Sequence, residues 1–356
     1  MPELINYTAP IDITAVLTAV ADHGDVLKAI DRLDANEVLQ HATGIPGVTN
    51  SYTLGKVEGG KYASMYNGVF LGRRENSKVV PRTVTVYPIK IEDSDEPERY
   101  RRSWITKVRG NLWNPAHPFE LWLVQQALEG TSSELRVVLF VAERDEEQLS
   151  ESANSDIKYS FDGWGSITMQ DKTAGKISAA LGNMFATAAF TVANIGDELL
   201  KMWRKMPETF RRKKSKMFLS QDLLDLYNDW LDAKYTFVAG VGEDEKKPTY
   251  LRGTGGKVEL IAVPLPEGSQ WVLLTTIENM IYAFDSEEDM KNVKPFNGGN
   301  PYRFQLAGKF VFGCQFISIH KSEFCINDKP LTPATQKTSD SQQASGTQAD
   351  PVGEDD

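Results

Sequence analysis

An α+β fold is expected from three features of the chain. Apolar residues recur at helical spacing in the first 42 residues and again around 118–128, 194–207 and 220–231. Strand-like alternation marks 84–91 and 310–316. Between Lys216 and Asp289, a short strand, a helix, a Gly-rich turn and two apolar strands follow one another. The 356 residues suffice for two domains or one elongated body with extensions. The 41% hydrophobic and 25% charged content is ordinary for a globular protein.

The formal net charge of -10 argues against nucleic acid as a ligand of the whole surface, because an acidic chain gains nothing from counterion release. Two cysteines, Cys314 and Cys325, cannot build a disulfide framework. Both lie in apolar runs and are expected to be buried thiols in a reducing cytoplasm. The start, Met1-Pro2-Glu3-Leu4, lacks the basic and apolar regions of a secretion signal. The most apolar stretch, Ile177 to Val192, is interrupted by Ser178, Asn183 and Thr187, and falls short of the roughly 18 apolar residues of a membrane span. A soluble protein is expected.

Ile13, Val16, Leu17 and Val20, then Val26, Leu27, Ile30 and Leu33, predict amphipathic helices within residues 8–42, ended by Gly44-Ile45-Pro46-Gly47. From Ser51 to Asn111 the pattern is extended, polar and Gly-rich. Val84 and Val86, then Ile89 and Ile91, predict a strand kinked at Tyr87-Pro88. Glu92 to Pro97 reads as a charged turn, with a second strand from Tyr100 to Val108. So few apolar positions cannot bury such a hairpin by itself; long unsupported hairpins are functional or pack on something else. Pro118 suits the first turn of a helix whose apolar side is Phe119, Trp122, Leu123, Ala127 and Leu128. Gly130 weakens that helix, and Thr131 with Glu134 offers a capping box for a restart.

Val137 to Val141 suits either a buried strand or the end of that helix. Phe161-Asp162-Gly163-Trp164-Gly165 predicts a tight turn before a short strand. Asn194 is the expected cap of a helix that has Asp197 and Glu198 in its first turn and ends at Pro207. Ser220 is the expected cap of the next, whose core face is Leu223, Leu224, Tyr227, Trp230 and Leu231. Val258 to Val263 and Trp271 to Thr275 read as strands. Phe310, Phe312, Cys314 and Phe316 alternate, Ile317 and Ile319 follow after a parity change, and a strand covered on both faces is expected. From Lys329 onward the composition is that of a disordered tail.

The candidate sites are chemically thin. Gly253-Thr254-Gly255-Gly256-Lys257 lacks the spacing and the following helix of a phosphate loop, and reads as a turn. Asp222, Asp225, Asp229 and Asp232 share one side of a helix without a nearby His, which suits a solvated or partner-facing stripe better than a metal site. A basic run precedes it: Arg204, Lys205, Arg211, Arg212, Lys213, Lys214 and Lys216. Pairing between subunits, with Arg204, Arg211, Arg212 and Lys213 against the four aspartates, stands beside plain solvated surface and nucleic-acid contact as readings of these charges. His23, His41, His117 and His320 are scattered, and His320 with Cys314 would make only two zinc ligands. No nucleophile elbow or ordered triad occurs. Glu278 and Asp285 would form a glycosidase pair only at the right separation. The seven tryptophans are spread out, and Trp122, Trp203 and Trp230 fall on apolar helix faces, as core residues do.

The order of elements resembles the Hong Kong 97-type major capsid protein of the tailed bacteriophages, the Caudoviricetes. The resemblance rests on Pro118 to Leu128, Phe161-Asp162-Gly163, Asn194 to Pro207, Met217 to Leu231 with Ser220 and Tyr227, Trp271 to Asp289 with Asn279, and Tyr302 to Phe316. It covers most of residues 50–328 as a pattern of elements. It implies an N-terminal arm (1–50), an extended hairpin (51–112), and a peripheral domain with a spine helix and long antiparallel sheet (113–175 and 300–328). A compact axial domain (176–299) and the tail (329–356) complete the expected layout.

The implied function is a structural coat protein, not an enzyme, with no cofactor and no metal. It would assemble as pentamers and hexamers into an icosahedral shell around double-stranded DNA, touching the DNA weakly and non-specifically. The implied partners are copies of itself, a separate scaffolding protein (no charged, coiled-coil-like segment precedes the arm) and a portal, with no membrane. The implied location is the virion capsid, after assembly in the host cytoplasm. Lys61 and Lys78 lie in the hairpin, but no Asn partner can be assigned and crosslinking is not expected. An encapsulin-type nanocompartment shell and a carbohydrate-active enzyme are the alternatives.

Overall fold

The computed structural model describes residues 34–59, 65–66, 77–95, 119–149, 156–234, 250–286, 293–296 and 304–332. The expectations for helices before residue 34, the outer hairpin, the strand from Tyr100 to Val108 and the tail beyond 332 lie outside these residues. The expected start of the tail at Lys329 is corrected: Leu331 is buried in the main core and its carbonyl accepts from Ser269 Oγ (2.7 Å).

Among the described residues, two five-stranded sheets and a two-stranded ribbon make up the strand framework. In the first sheet the long strand β11 (Phe304–Phe316) is the hub. It pairs antiparallel with β10 (Val293–Phe296), with β4 (Tyr87–Asp95) along Phe304 to Phe312, and with β9 (Met280–Ala283) along Gly313 to Phe316. The short β1 (Thr43–Ile45) adds parallel to β9. Leu306, Phe310, Phe312, Cys314 and Phe316 alternate along β11 and are all buried in the main core. Each fully buried Phe contributes roughly 1.5–3 kcal/mol. The opposite face of β11 is half covered: Val311 and Ile317 join a small cluster with Val48, Val84, Val86, Ile281 and Ala283. That cluster explains the parity change at Ile317.

The second sheet has the order β5 (Met184–Phe185), β12 (Phe324–Asn327), β8 (Leu273–Thr276), β6 (Ser215–Leu219), β7 (Val258–Ala262). Its central strands β12, β8 and β6 are buried on both faces. Phe218, Leu273, Phe324 and Ile326 point into the main core. Met217, Leu219, Leu274 and Cys325 point into a second core. Helices α4 (Ile195–Lys205) and α6 (Gln221–Lys234) close that second core with Leu199, Met202, Leu223, Tyr227 and Leu231.

Helix α1 (Asp34–Leu39) packs beside α2 (Phe119–Val138). Helix α2 resolves the Val137 alternative as a helix end and runs through Gly130 without a break. The Thr131 hydroxyl donates back to Ala127 O (2.9 Å) and caps nothing, so no restart occurs. After Gly163 the chain forms helix α3 (Trp164–Thr173), where a strand was expected. The two glycines serve a close approach instead. A Cβ at Gly163 would lie 2.6 Å from Leu139 O, and one at Gly165 would lie 2.5 Å from Phe140 O. Their bare backbones let the start of α3 rest on the end of α2.

The kinked strand divides at Val86 into β3 (Ser77–Thr85) and β4, because the two halves take different partners. Strand β4 continues to Asp95, so Glu92 to Asp95 are paired residues of a strand rather than a turn. Asn194 precedes α4 but does not cap it: its side chain accepts from Thr191 N (2.8 Å) and donates to Ala189 O (2.9 Å). Ser220 caps α6 as expected, with its Oγ accepting from Leu223 N at 3.3 Å. Pro207 ends α4 and starts the one-turn α5 (Glu208–Arg211).

Two glycines in contrasting surroundings test this packing. A Cβ at Gly313 would collide with the Thr85 carbonyl where β3 crosses β11, and backbone on both sides leaves no room to yield. Gly313→Ala should cost about 3 kcal/mol in urea unfolding. Nothing lies within 4 Å of a Cβ at Gly130. Gly130→Ala should therefore stabilise by about 0.5–1 kcal/mol, and a loss of stability would show that the helix needs a break there.

Candidate assembly surface

The ribbon consists of β2 (Ser51–Gly59) and β3, paired from Ser51↔Thr85 to Gly59↔Ser77. It forms a sheet of its own, so neither outer edge has a strand partner among the described residues. An isolated two-stranded ribbon is marginally stable, and its free edges invite pairing. Beyond it Met65 and Tyr66 are 92% and 93% exposed.

Polar contacts hold the base of this ribbon to the body. Arg82 Nη2 donates to Asp171 Oδ2 of α3 (2.7 Å) and to Gln315 Oε1 of β11 (2.7 Å), and its Nε donates to Phe316 O (3.1 Å). Its side chain is 10% exposed. Gln315 Nε2 donates to Thr83 O (3.0 Å). On the other strand Lys56 pairs with Glu323. Sequence reasoning missed Arg82, Gln315 and Glu323. An Arg in a polar strand reads as solvated, and nothing local to it signals a partner 89 or 233 positions away.

The segment entering the ribbon is held as well. Lys216, expected in the basic run, is instead buried (8% exposed), and its ammonium donates to His41 O at 3.4 Å. Burial lowers its pKa, while Glu259 on the neighbouring strand opposes that shift. The His41 ring stands edge-on to Phe218 at 6.2 Å. Burial, then the Lys216 charge, hold His41 below its ordinary value of 6.5, against the pull of Glu259 and Glu37.

Helix α6 presents the acidic stripe. Leu223, Tyr227, Trp230 and Leu231 are buried, and Asp222, Asp225, Asp229 and Asp232 are exposed. Asp225 accepts from Gln221 (2.9 Å). Tyr227 stacks on Trp230 at 5.7 Å, and its hydroxyl accepts from Arg252 N at 2.8 Å. Gly196 lets α4 meet the Trp230 ring, and Asp197 pairs with Lys234 (2.8 Å). The stripe therefore stands on a rigid base.

Arg204 and Lys205 are exposed at the C-terminal end of α4, where cations suit the helix dipole. Arg211 is half-buried. Arg212 pairs with Glu208 (2.5 Å) and Lys213 with Glu323 (3.3 Å), rather than with the aspartate stripe of their own chain.

The remaining candidates resolve into structural roles. Gly253, Gly255 and Gly256 have positive φ and form a turn into β7, and Lys257 Nζ donates to Arg211 O (3.3 Å). Cys314 and Cys325 are buried, and burial pushes the Cys325 thiol up to about 12. His320 Nδ1 meets Ser322 Oγ at 2.8 Å instead of Cys314. Glu278 and Asp285 lie beyond opposite ends of β9, on the order of 15–20 Å apart by strand rise, too far for a carboxylate pair. Asn279 is a buried staple between strands: it donates to Ser318 O (2.8 Å) and Thr275 Oγ1 (2.9 Å) and accepts from Ser318 N (2.8 Å). Among the described residues no group of three or more His, Cys, Asp or Glu is placed to hold a metal ion, and no helix is long and apolar enough to cross a membrane.

Arg82→Leu leaves the Asp171 carboxylate buried with only Lys176 at 3.4 Å, and should cost about 3 kcal/mol in denaturant unfolding. Arg82→Lys should recover little of it, because a single ammonium cannot replace the guanidinium fork. His41 has its proton affinity lowered by folding, so the unfolded chain protonates first. Its contribution is complete above pH 6.5 and is lost as pH falls from there through the lower folded value. Urea unfolding at about pH 7.5 and about pH 5.5 should show a smaller acid-induced loss for His41→Gln than for the wild type.

No protein-family model matches the chain, and no curated protein matches it. Solved structures do. A chain of the satellite phage P4 procapsid including the size determination (Sid) protein aligns with TM-score 0.53 and 12% identity, over 86% of this chain and 98% of that one. A chain of the capsid of the native GTA particle, computed with C5 symmetry, aligns with TM-score 0.51 and 10% identity, over 83% of this chain and 90% of that one. At these identities the likeness is one of fold, and the chain has the mixed helix-and-sheet fold of phage capsid proteins.

Proposed function

We propose that this chain is the major coat subunit of a tailed phage, built on the Hong Kong 97-type plan. In this reading the subunit assembles as pentamers and hexamers into an icosahedral shell around double-stranded DNA. The observation that carries it is the shared fold over 98% of a P4 procapsid chain. The ribbon supports it, because among the described residues neither ribbon edge has a strand partner and Tyr52 is exposed, which leaves surface for a neighbour to cover. Residues 1–50 act as the arm and 51–112 as the extended loop. Residues 113–175 and 300–328 are the peripheral domain with its spine helix, and 176–299 is the axial domain around the symmetry axes. Wrapping extensions stabilise a shell collectively, many modest contacts acting together. The net charge of -10 suits weak contact with packaged DNA, with counterions screening the repulsion. A separate scaffolding protein and a portal complete the assembly in the host cytoplasm.

Residues 60–100 cannot be removed as one unit to test the loop. Val84, Ile89 and Ile91 are buried, and β4 is the partner of β11, so that deletion would take out core. The clean deletion is 60–76, closing the ribbon between Gly59 and Ser77. The full chain should sediment as rings or shells, and the deleted chain as a folded monomer. A full chain that stays monomeric to about millimolar concentration, beyond the range of ordinary specific interfaces, would remove the shell reading. Uniform small closed shells from the chain expressed alone would favour the encapsulin-type alternative over the phage one.

A further inference from the structure

We propose that Glu323 is a positioning residue that sets the angle of the ribbon against the body, and that Lys213 links this setting to contact with a neighbouring copy. The second half rests on the shell reading above; the first does not.

Glu323 lies in the turn between β11 and β12, on a backbone held from several sides. Its N–H donates to His320 O (2.9 Å), and its carbonyl accepts from Thr276 N (3.0 Å) and Thr275 Oγ1 (3.1 Å). The carboxylate is therefore a fixed post. One oxygen pairs with Lys56 of β2, and the other meets Lys213 Nζ at 3.3 Å. The Glu323 side chain is 15% exposed, Lys56 24% and Lys213 50%.

The ribbon needs such a post. Arg82 secures β3, and on β2 the apolar contact of Leu54 lies at the same level as Arg82, which leaves the ribbon beyond that level free to roll. Lys56 is on the other strand. It pairs with Val80, whereas Arg82 pairs with Leu54, so the second support lies two residues farther out, about 7 Å along the ribbon. Two supports offset along and across a ribbon suppress both roll and swing.

The sharing of one carboxylate has a further consequence. Lys213 is exposed and is the more accessible of the two lysines. When a carboxylate of a neighbouring copy draws Lys213 away, the full Glu323 charge turns to Lys56 and the ribbon tightens. By linkage, a tightened ribbon in turn releases Lys213 to the neighbour. Without the Glu323 charge, the two ammonium groups face each other and push the ribbon outward.

Hydrogen exchange followed by mass spectrometry on the full chain tests this. In Glu323→Gln, amides of β2 should exchange roughly three- to tenfold faster than in the wild type, with α6 amides unchanged. Adding Lys213→Ala should restore about half of the lost protection by removing the repulsion, a rescue that general destabilisation would not produce. Lys56→Gln, on the ribbon and away from the core, should reproduce the faster exchange even if Glu323→Gln folds poorly. Exchange in both single variants within about twofold of the wild type, the size of a negligible surface pair, overturns the proposal. Failure of the Lys213→Ala rescue overturns the link to the neighbour. Faster β2 exchange in a chain that sediments only as a monomer would keep Glu323 as the post while the shell reading falls.

Discussion

Phe140, at the turn that ends the long α2 helix, is the contact on which both sheets depend. Its ring packs against Trp164 at 5.6 Å, Phe218 at 5.7 Å and Trp271 at 6.0 Å. Through Trp164, whose indole N–H donates to Ile281 O (3.2 Å) and Gln315 O (3.1 Å), it reaches the first sheet. Through Phe218 it reaches the second. This junction is possible only because Gly163 and Gly165 let α3 touch the Leu139 and Phe140 carbonyls.

The outward surfaces divide by the strength of what holds them. The ribbon is aimed by contacts that exclude water: the Gly313 crossing and the Arg82 fork. The rim pairs, Arg212 with Glu208 and Lys234 with Asp197, are exposed, and pairs of that kind contribute about 0–1 kcal/mol each. They orient side chains more than they stabilise the subunit. The aspartates of α6 follow the same logic. They are exposed and add nothing to the core, on a helix whose inner face is held by Tyr227, Trp230 and the close approach of Gly196.

Elements whose pattern repeats were legible in the sequence. The α6 helix with its Ser220 cap and its apolar and acidic faces, the alternation in β11, and the break at Pro207 stood as read. Elements defined by a single long-range partner were not. Strand β12 is four residues, too short to show a period, yet all four are buried between β5 and β8. Asn194 has the composition of a cap, but its side chain found donors and acceptors in the turn before the helix. Lys216 sits in a run of cations that reads as surface, and only the pairing of β6 between β7 and β8 shows that it is interior.

The sequence by itself determined the local alphabet of this protein: where the strongly periodic helices and strands form, which of their faces are apolar, and that catalytic motifs are missing from the pattern. Those properties follow from periodicity, caps and turn chemistry, which act over a few residues. Tertiary structure alone decided how the ribbon is carried. Arg82 meets Asp171 and Gln315, Lys56 and Lys213 meet Glu323, and Gly313 meets Thr85 only after the chain has closed loops of many residues. The direction of the ribbon depends on those meetings, because a two-stranded ribbon has too little core to hold a direction of its own.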